Sequence, residues 1–475
     1  MLGSLDIAIP LGLPFRFTGL TADSRTVRPG MLYAALPGTR MDGRAFIAEA
    51  VARGAAAVLA PIGTTWPEGV PKRPLIVDRE PRRALARLAA LQAGDQPRTV
   101  VAVTGTNGKT STADFLRQIF AHAGRRSASL GTLGVIGPDG VGTPGLTTPD
   151  PVTLAETLAR LAREGVDAVA IEASSHGLDQ FRLDGVLLTA AGFTNLTRDH
   201  LDYHGTLEAY RAAKLRLFTD LLPTGATAVA STTLDKVTLE TLAGIARARG
   251  LVLHRVGEDG DVIHLVRAIP RPGGQVLVLD GGQTIDLALP GRFQADNALL
   301  AAGLAAAAGV ADPLALLPLL VGVRGRMELA TTVNGAAVYV DYAHTPDALQ
   351  RLLLALRPHT AGRLLLVFGA GGDRDRGKRP LMGAVAAQGA DVAVITDDNP
   401  RSEDPAAIRA AIRATCPEAI EIGDRAAAIA SALAMLRPGD VLAVAGKGHE
   451  GGQTIGAVTL PFDDVATVRR LTGAA

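Results

Sequence analysis

Apolar residues along the chain fall into short aliphatic runs separated by stretches of helical spacing. Up to about Gln96, "AAAVLA" and "PLIVD" predict strands, and "RAFIAEAVARG" and "RRALARLAALQAG" predict short helices. "AGDQPRT" reads as a linker into the strand "VVAVTG". Strand–helix alternation then runs to about Arg324, with "DAVAIEASS" and "LLTAAGFTNL" as buried strands between helices. Residues 262–290 instead alternate apolar and polar positions around "RPGG" and "DGG", the pattern of antiparallel strands. "VRGRMELA" marks a second boundary. Beyond it, "RLLLVFGAGG", "DVAVITDDNP" and "VLAVAGKGHE" are apolar runs with helical segments between them. Strands alternating with helices predict a parallel sheet with right-handed crossovers. The expected fold is α/β in three domains, residues 1–96, 97–324 and 325–475, with mainly parallel sheet in the centre.

Length agrees with that division, since 475 residues suit about three domains of ~150 residues. Charge is nearly balanced, with 48 basic against 47 acidic residues, which argues against a nucleic-acid partner or a membrane surface. Cys416 is the single cysteine, so no internal disulfide can form, which fits a reducing cytoplasm. The start, "MLGSLDIAIPLGLPF", lacks a basic region and carries Asp6, Pro10 and Pro14, unlike a signal peptide. The most apolar run, "ALLAAGLAAAAGVA", is shorter than the ~20 residues of a membrane span and ends at Asp312. It predicts a buried helix.

Candidate chemistry sits at the carboxyl ends of the predicted strands. In "VVAVTGTNGKTSTADFL" a strand leads through Gly105 and Gly108 into Lys109, Thr110 and a helix. Backbone N–H groups and a helix N-terminus form a positive cradle for phosphates there. Lys109 can neutralise β/γ oxygens and the Thr110 hydroxyl can hold Mg²⁺. The common spacing G-x-x-x-x-G-K-[ST] is not met, because Val103 stands five before Gly108; the loop is a shorter "GTNGKT". In "VFGAGGDRD", Arg374 takes the place of the last glycine of a dinucleotide fingerprint, which counts against a dehydrogenase. Asp199, His200, Asp202 and His204 crowd one loop, either as metal ligands or as a helix cap. Leu207, Tyr210, Lys214, Leu217 and Leu221 then share one helical face, so Lys214 lies on an apolar stripe. A lysine there snorkels out, finds a partner, or changes its charge. Glu172 and Ser174 end another strand, where a glutamate either caps a helix or meets Mg²⁺. The tails "GGDRD", "DDNPR" and "GKGHE" end three strands of one parallel sheet, and ligands bind at that end of such sheets. They should therefore converge.

Together "ADSR", "TGTNGKT", "EASSHGLDQFRLD", "NLTRDHLDYHG", "YRAAK", "VRGRME", "DYAHTP", "GGDRDRGKRP", "DNPR" and "GKGHE" resemble the Mur ligase family, in the family's order and over almost the whole chain. The resemblance implies a UDP-sugar-binding first domain, a central P-loop-type ATPase domain, and a Rossmann-like last domain that takes the incoming amino acid. It implies that Ala22 and Ser24 contact the UDP portion of UDP-N-acetylmuramoyl-L-alanyl-D-glutamate. Gly105, Thr106, Asn107, Gly108, Lys109, Thr110 and Ser111 would hold ATP phosphates, with Asn297 and Arg326 also on the nucleotide. Thr147, Thr148, Ser174, Gln180 and Arg182 would hold the muramoyl-peptide. Thr110, Glu172, His200 and Lys214 would surround two Mg²⁺ ions, with Lys214 carbamylated and Lys109, His200 and Lys214 acting in catalysis. Arg374, Asp398, Asn399, Pro400, Arg401, Gly446 and Glu450 would form the amino-acid site, for meso-2,6-diaminopimelate ahead of lysine or ornithine. The implied enzyme is a cytoplasmic, monomeric ligase of peptidoglycan precursor synthesis that works through an acyl phosphate. A folylpolyglutamate synthetase has a similar glycine loop, but "DNPR" and "DSR" count against it. A nucleotide-gated binding protein without ligation is the remaining class.

Overall fold

The computed structural model describes residues 17–38, 41–142 and 145–474, so the reading of the first fifteen residues lies outside the described residues. The chain forms two compact units, one of residues 1–109, 124–228 and 235–253, the other of residues 110–123, 229–234 and 254–475.

The first unit begins with four parallel strands in sequential order, β1 (Leu20–Thr21), β2 (Leu32–Ala34), β3 (Ala57–Pro61) and β4 (Leu75–Asp78). The helix Pro81–Ala93 covers them with Ala84, Leu85, Leu88 and Ala89, one face at helical spacing. Next come β5 (Thr99–Thr104), β6 (Ser127–Gly131), β7 (Gly134–Gly137), β8 (Gly140–Val141), β9 (Ala168–Glu172) and β10 (Ala190–Phe193). They lie side by side as β10-β5-β9-β6-β7-β8, parallel from β10 to β6 and antiparallel beyond. Every residue of β5 is buried, which explains its unbroken apolar run. The chain continues through β11 (Thr227–Ser231), the helix Lys236–Arg249 and β12 (Val252–Gly257).

In the second unit β12 pairs in parallel with β13 (Ile263–Arg271) through Val256 and Gly257. β13, β14 (Gly274–Leu279) and β15 (Thr284–Leu287) are the antiparallel strands that residues 262–290 predict. The alanine-rich run is the buried helix Arg292–Ala307. Among the described residues no helix is long and apolar enough to cross a membrane.

A six-stranded sheet follows, made of β16 (Glu328–Val333), β17 (Ala336–Asp341), β18 (Leu364–Phe368), β19 (Val392–Ile395), β20 (Ile420–Glu421) and β21 (Val441–Ala445). Its order is β16-β17-β21-β18-β19-β20, and all but the edge strand β16 run parallel. Leu364, Leu366 and Phe368 face one core while Leu365 and Val367 face the other; in β21, Val441, Ala443 and Ala445 oppose Leu442 and Val444 in the same way. Helices cover both faces, so each strand must be apolar at every position. Because β21 returns to lie between β17 and β18, the strand order reverses there, and the carboxyl ends open a crevice. A hairpin of β22 (Gly452–Ile455) and β23 (Val458–Pro461) follows β21.

Candidate active site

The glycine loop is held from outside itself. Gly105 has φ +145° and passes so near Thr194 that any Cβ would overlap its hydroxyl, so only glycine fits. Thr106 N–H donates to Asn195 O at 2.8 Å, Asn107 N–H to Asn195 Oδ1 at 3.0 Å, and Thr194 Oγ1 to Asn107 O at 2.6 Å. Lys109 opens the helix Lys109–His122, and Thr110 and Ser111 follow in its first turn. Lys109 Nζ folds back to donate to Gly105 O and Thr106 O, both at 2.8 Å.

Lys214 meets the same carbonyl. It is 1% exposed, and its Nζ donates to Gly105 O at 2.7 Å and lies 4.5 Å from the Tyr210 ring centre. Tyr210 OH in turn donates to Thr106 Oγ1 at 3.1 Å. Burial and the neighbouring Lys109 push the Lys214 amine well below the usual lysine range, against the pull of Asp199. The stripe predicts one helix through Leu221, but the α-helix Leu207–Arg216 ends early and Leu217–Leu221 is a π-turn, closed by Leu222 N–H on Leu217 O at 3.0 Å. The wider turn still buries Leu217, so the stripe survives while the period changes.

Glu172 ends β9, and its carboxylate accepts from Thr132 N–H at 2.8 Å and from Thr132 Oγ1 at 3.3 Å. The helix after β9 is capped not by Glu172 but by Ser174, whose Oγ accepts from Gly177 N–H at 3.0 Å. His200 is exposed, in left-handed backbone at φ +51°, with its ring 4.9 Å from His176. His204 of the same loop turns inward, 5.2 Å from the Tyr210 ring, with a buried Nε2 that has no partner. Among the described residues no three His, Cys, Asp or Glu side chains converge as a metal cage. Of the four residues expected at metal two carry oxygen donors, and Mg²⁺ takes oxygen donors, keeps waters and needs few protein ligands. The Glu172 carboxylate and the Thr110 hydroxyl are donors of that kind.

The residues expected on the muramoyl-peptide are linked. Thr148 Oγ1 donates to Glu172 O at 2.8 Å and lies 3.0 Å from Ser174 Oγ, while Thr147 Oγ1 lies 3.0 Å from Thr132 Oγ1. Arg182 donates to Thr148 O at 2.6 Å and to Gln180 Oε1 at 2.8 Å. Gln180 continues to Tyr203 OH at 3.2 Å. Just after β1, Ala22 is exposed, and buried Ser24 donates to Glu49 Oε2 at 2.8 Å. Thr132 and Glu49 carry no motif and escape a reading of the sequence, while Asn195 and Tyr203 lie within "NLTRDHLDYHG" without standing out in it.

In the second unit Asn297 and Arg326 are joined through Gln294, which accepts from Asn297 Nδ2 at 3.3 Å and donates to Arg326 O at 3.5 Å. The Arg326 guanidinium stacks 4.9 Å from the Tyr342 ring, and His449 lies 4.9 Å from it too. Burial, Arg326 and Arg324 push the His449 imidazole down to about 4. Unfolded chain binds that proton below about pH 6.5, where the folded protein still refuses it. Stability from this group is therefore complete above pH 6.5 and falls as pH drops toward 4, by about 1–2 kcal/mol once solvent screening is allowed for. Urea midpoints at pH 7.5 and pH 5 check this: His449→Gln should lose less than wild type, and equal losses would refute it.

The three tails of the last sheet converge. Gly372 N–H donates to Asn399 O at 2.9 Å, Arg401 NH1 to Gly372 O at 2.7 Å, and Asn399 Nδ2 to Glu450 Oε2 at 2.9 Å. Arg401 has left-handed φ +52°, held by Arg401 N–H on Thr454 O at 3.0 Å and Gly456 N–H on Arg401 O at 2.7 Å. Such strain persists only where the surroundings over-determine it. Neither nearby acid holds Arg401. Glu403 pairs with Arg379 at 2.9 Å, whose hydrogen bonds bring its carboxyl down to about 2, and Asp404 caps the helix Pro405–Arg413. Asp398 and Pro400 are buried in this cluster, and Gly446 passes Asp398 so closely that a Cβ would stand 2.5 Å from Oδ2. Arg374 stays exposed, with NH1 at 3.5 Å from the Asp373 carbonyl.

Comparison with known proteins finds three family models along the chain: the Mur ligase family catalytic domain at residues 16–92, the Mur ligase middle domain at 103–305, and the Mur ligase glutamate ligase domain at 325–448. A UDP-N-acetylmuramoyl-L-alanyl-D-glutamate--2,6-diaminopimelate ligase of Caulobacter vibrioides is 56% identical over 96% of this chain and 95% of its own. A solved structure of a ligase of the same name superposes with a TM-score of 0.73 at 35% identity, covering 96% of this chain and 95% of that one. A folylpolyglutamate synthase of Mycobacterium tuberculosis shares the fold alone, with a TM-score of 0.62 at 20% identity over 82% of this chain and 95% of that one.

Proposed function

The chain belongs to the Mur ligase family, and from that premise we infer that it joins meso-2,6-diaminopimelate to UDP-N-acetylmuramoyl-L-alanyl-D-glutamate in an ATP-dependent step of peptidoglycan precursor synthesis. The near-full-length identity with the Caulobacter ligase carries this reading. The γ-carboxylate of the D-glutamyl residue attacks the γ-phosphorus of ATP, and ADP leaves. The amine of the amino acid then adds to the acyl phosphate carbonyl. The tetrahedral intermediate loses phosphate, the nitrogen loses its proton, and an amide remains.

Residues 1–96, 97–324 and 325–475 take the UDP-sugar, ATP and amino acid in turn, in a cytoplasmic monomer. Lys109 and the N–H groups of residues 105–111 offset charge on the transferring phosphoryl group. Asn297 and Arg326 hold the rest of the nucleotide, Ala22 and Ser24 the UDP, and Thr147, Thr148, Ser174, Gln180 and Arg182 the peptide. Mg²⁺, held by Thr110, Glu172, His200 and carbamylated Lys214, supplies further positive charge against the phosphates when bound. ADP release measured with the muramoyl-dipeptide, with and without diaminopimelate, tests the reading. ADP release independent of both would refute it.

The far end of the amino acid decides selectivity. Diaminopimelate carries a second carboxylate there, whereas lysine and ornithine do not. Arg401 binds that carboxylate through two parallel hydrogen bonds, beside Asn399. Leaving a desolvated guanidinium unpaired costs about 2–5 kcal/mol, so diaminopimelate should be preferred by more than about 30-fold in kcat/KM. Arg401→Ala should erase most of that preference. Equal use of lysine by wild type, or a preference intact in the variant, would overturn the assignment.

A further inference from the structure

We propose that Lys447 is the positioning residue of the amino-acid site, holding Asp398, Asn399 and Glu450 in the arrangement that receives the far-end ammonium of the amino acid; this rests on the assignment of that site to diaminopimelate. Lys447 is 0% exposed, although it stands just past the carboxyl end of β21, after Gly446. A buried ammonium needs partners. Those it has are Asn399 Oδ1 at 3.0 Å, Glu450 Oε2 at 3.4 Å and Asp398 Oδ1 at 3.8 Å. All three belong to the tails that converge at the crevice.

Glycines on either side make the inward turn possible. Gly446 has φ +120° and Gly448 φ +54°, and a Cβ on the latter would stand 2.7 Å from Tyr342 Cβ. The ammonium then fixes which way the Asn399 amide faces. Its Oδ1 accepts from Lys447 Nζ and from Thr454 N–H at 2.9 Å, and its Nδ2 donates to Glu450 Oε2 at 2.9 Å. A flipped amide would set NH₂ against NH₃⁺ and N–H and lose all three bonds.

Charge points the same way. Asp398 and Glu450 bring two carboxylates together, and Lys447 cancels one of them. Arg425 also acts on both carboxylates and Lys378 on Asp398, so Lys447 is the cation in direct reach of both within a wider set that an incoming ammonium joins. Glu450 keeps 34% of its side chain exposed, so it can face both Lys447 and a ligand. Without Lys447 the two carboxylates repel, Glu450 is free to swing toward water, and Asn399 Oδ1 is left with Thr454 N–H as its donor.

The test uses Lys447→Met and Lys447→Gln in the full-length enzyme, with each of the three substrates varied in turn. Thermal melts accompany the kinetics, as does hydroxylamine trapping of the acyl phosphate formed without amino acid. The expected result is a KM for diaminopimelate raised about 30-fold or more. The KM values for ATP and the UDP-precursor, and hydroxamate formation, should stay within about threefold of wild type. If Lys447→Met does not fold, Lys447→Gln, which keeps a donor for Asn399, carries the same expectation. A diaminopimelate KM within about threefold of wild type would overturn the proposal, as would a rise of all three KM values together. A wild-type enzyme that forms hydroxamate but ignores diaminopimelate would overturn the underlying site assignment with it, and is distinguished because no variant is needed to see it.

Discussion

Lys109→Ala is expected to abolish ATP-dependent ligation, by about a thousandfold or more in turnover at saturating ATP, while the protein stays folded. Lys109 begins the helix behind the glycine loop, where N–H groups already gather positive potential. Its ammonium is the side-chain charge of that cradle, held on Gly105 O and Thr106 O at 2.8 Å. Phosphoryl transfer from ATP to a carboxylate brings two anions together, so a missing cation costs most at the transition state. The fold should tolerate the loss because Gly105 O keeps a donor in Lys214 and the loop keeps its bonds to Asn195 and Thr194. ADP release and amide formation report activity, and a thermal melt reports the fold. A well-folded variant turning over at the wild-type rate would end the assignment of Lys109 to the phosphates.

Much of this arrangement was legible beforehand, for a physical reason. β5, β9, β10, β18, β19 and β21 are buried on both faces, so each shows as an unbroken apolar run and its tail marks the ligand-binding end. The convergence of "GGDRD", "DDNPR" and "GKGHE" follows from parallel topology alone. Less legible was what each side chain would touch. Glu172 meets Thr132 forty residues away, and Asn107 meets Asn195 across eighty-eight, through registers that no local pattern encodes. Glycines were the available signal. Gly131 leaves room for the Glu172 carboxylate, and Gly446 leaves room for Asp398. Lys447, set between two glycines, was readable as an inward-turned lysine but passed as part of a motif. The π-turn after Arg216 was not readable, because a 3.6-residue stripe looks the same whether its last turn is α or π.

Lys214→Ala should be nearly inactive, again by about a thousandfold or more, and partly recovered by an added small carboxylate such as formate. Two lysine amines share the Gly105 carbonyl, at 2.7 Å and 2.8 Å, and one of them is 1% exposed. Burial and the charge of Lys109 favour the neutral amine of Lys214. A neutral amine is the form that attacks CO₂: the N–C bond forms, one C=O pair moves to oxygen, and the nitrogen loses a proton. The product is a carbamate anion. It keeps one N–H for Gly105 O, turns repulsion from Lys109 into attraction, and offers oxygen donors of the kind Mg²⁺ takes. The alanine variant lacks both amine and carbamate, and formate can restore only the carboxylate. Two measurements decide the matter: rescue of ligation by formate, and a carbamate resonance in wild-type enzyme equilibrated with ¹³C-labelled CO₂ that is missing from the variant. Active, Mg²⁺-bound enzyme whose electron density shows a bare ammonium at Lys214 would rule the carbamate out.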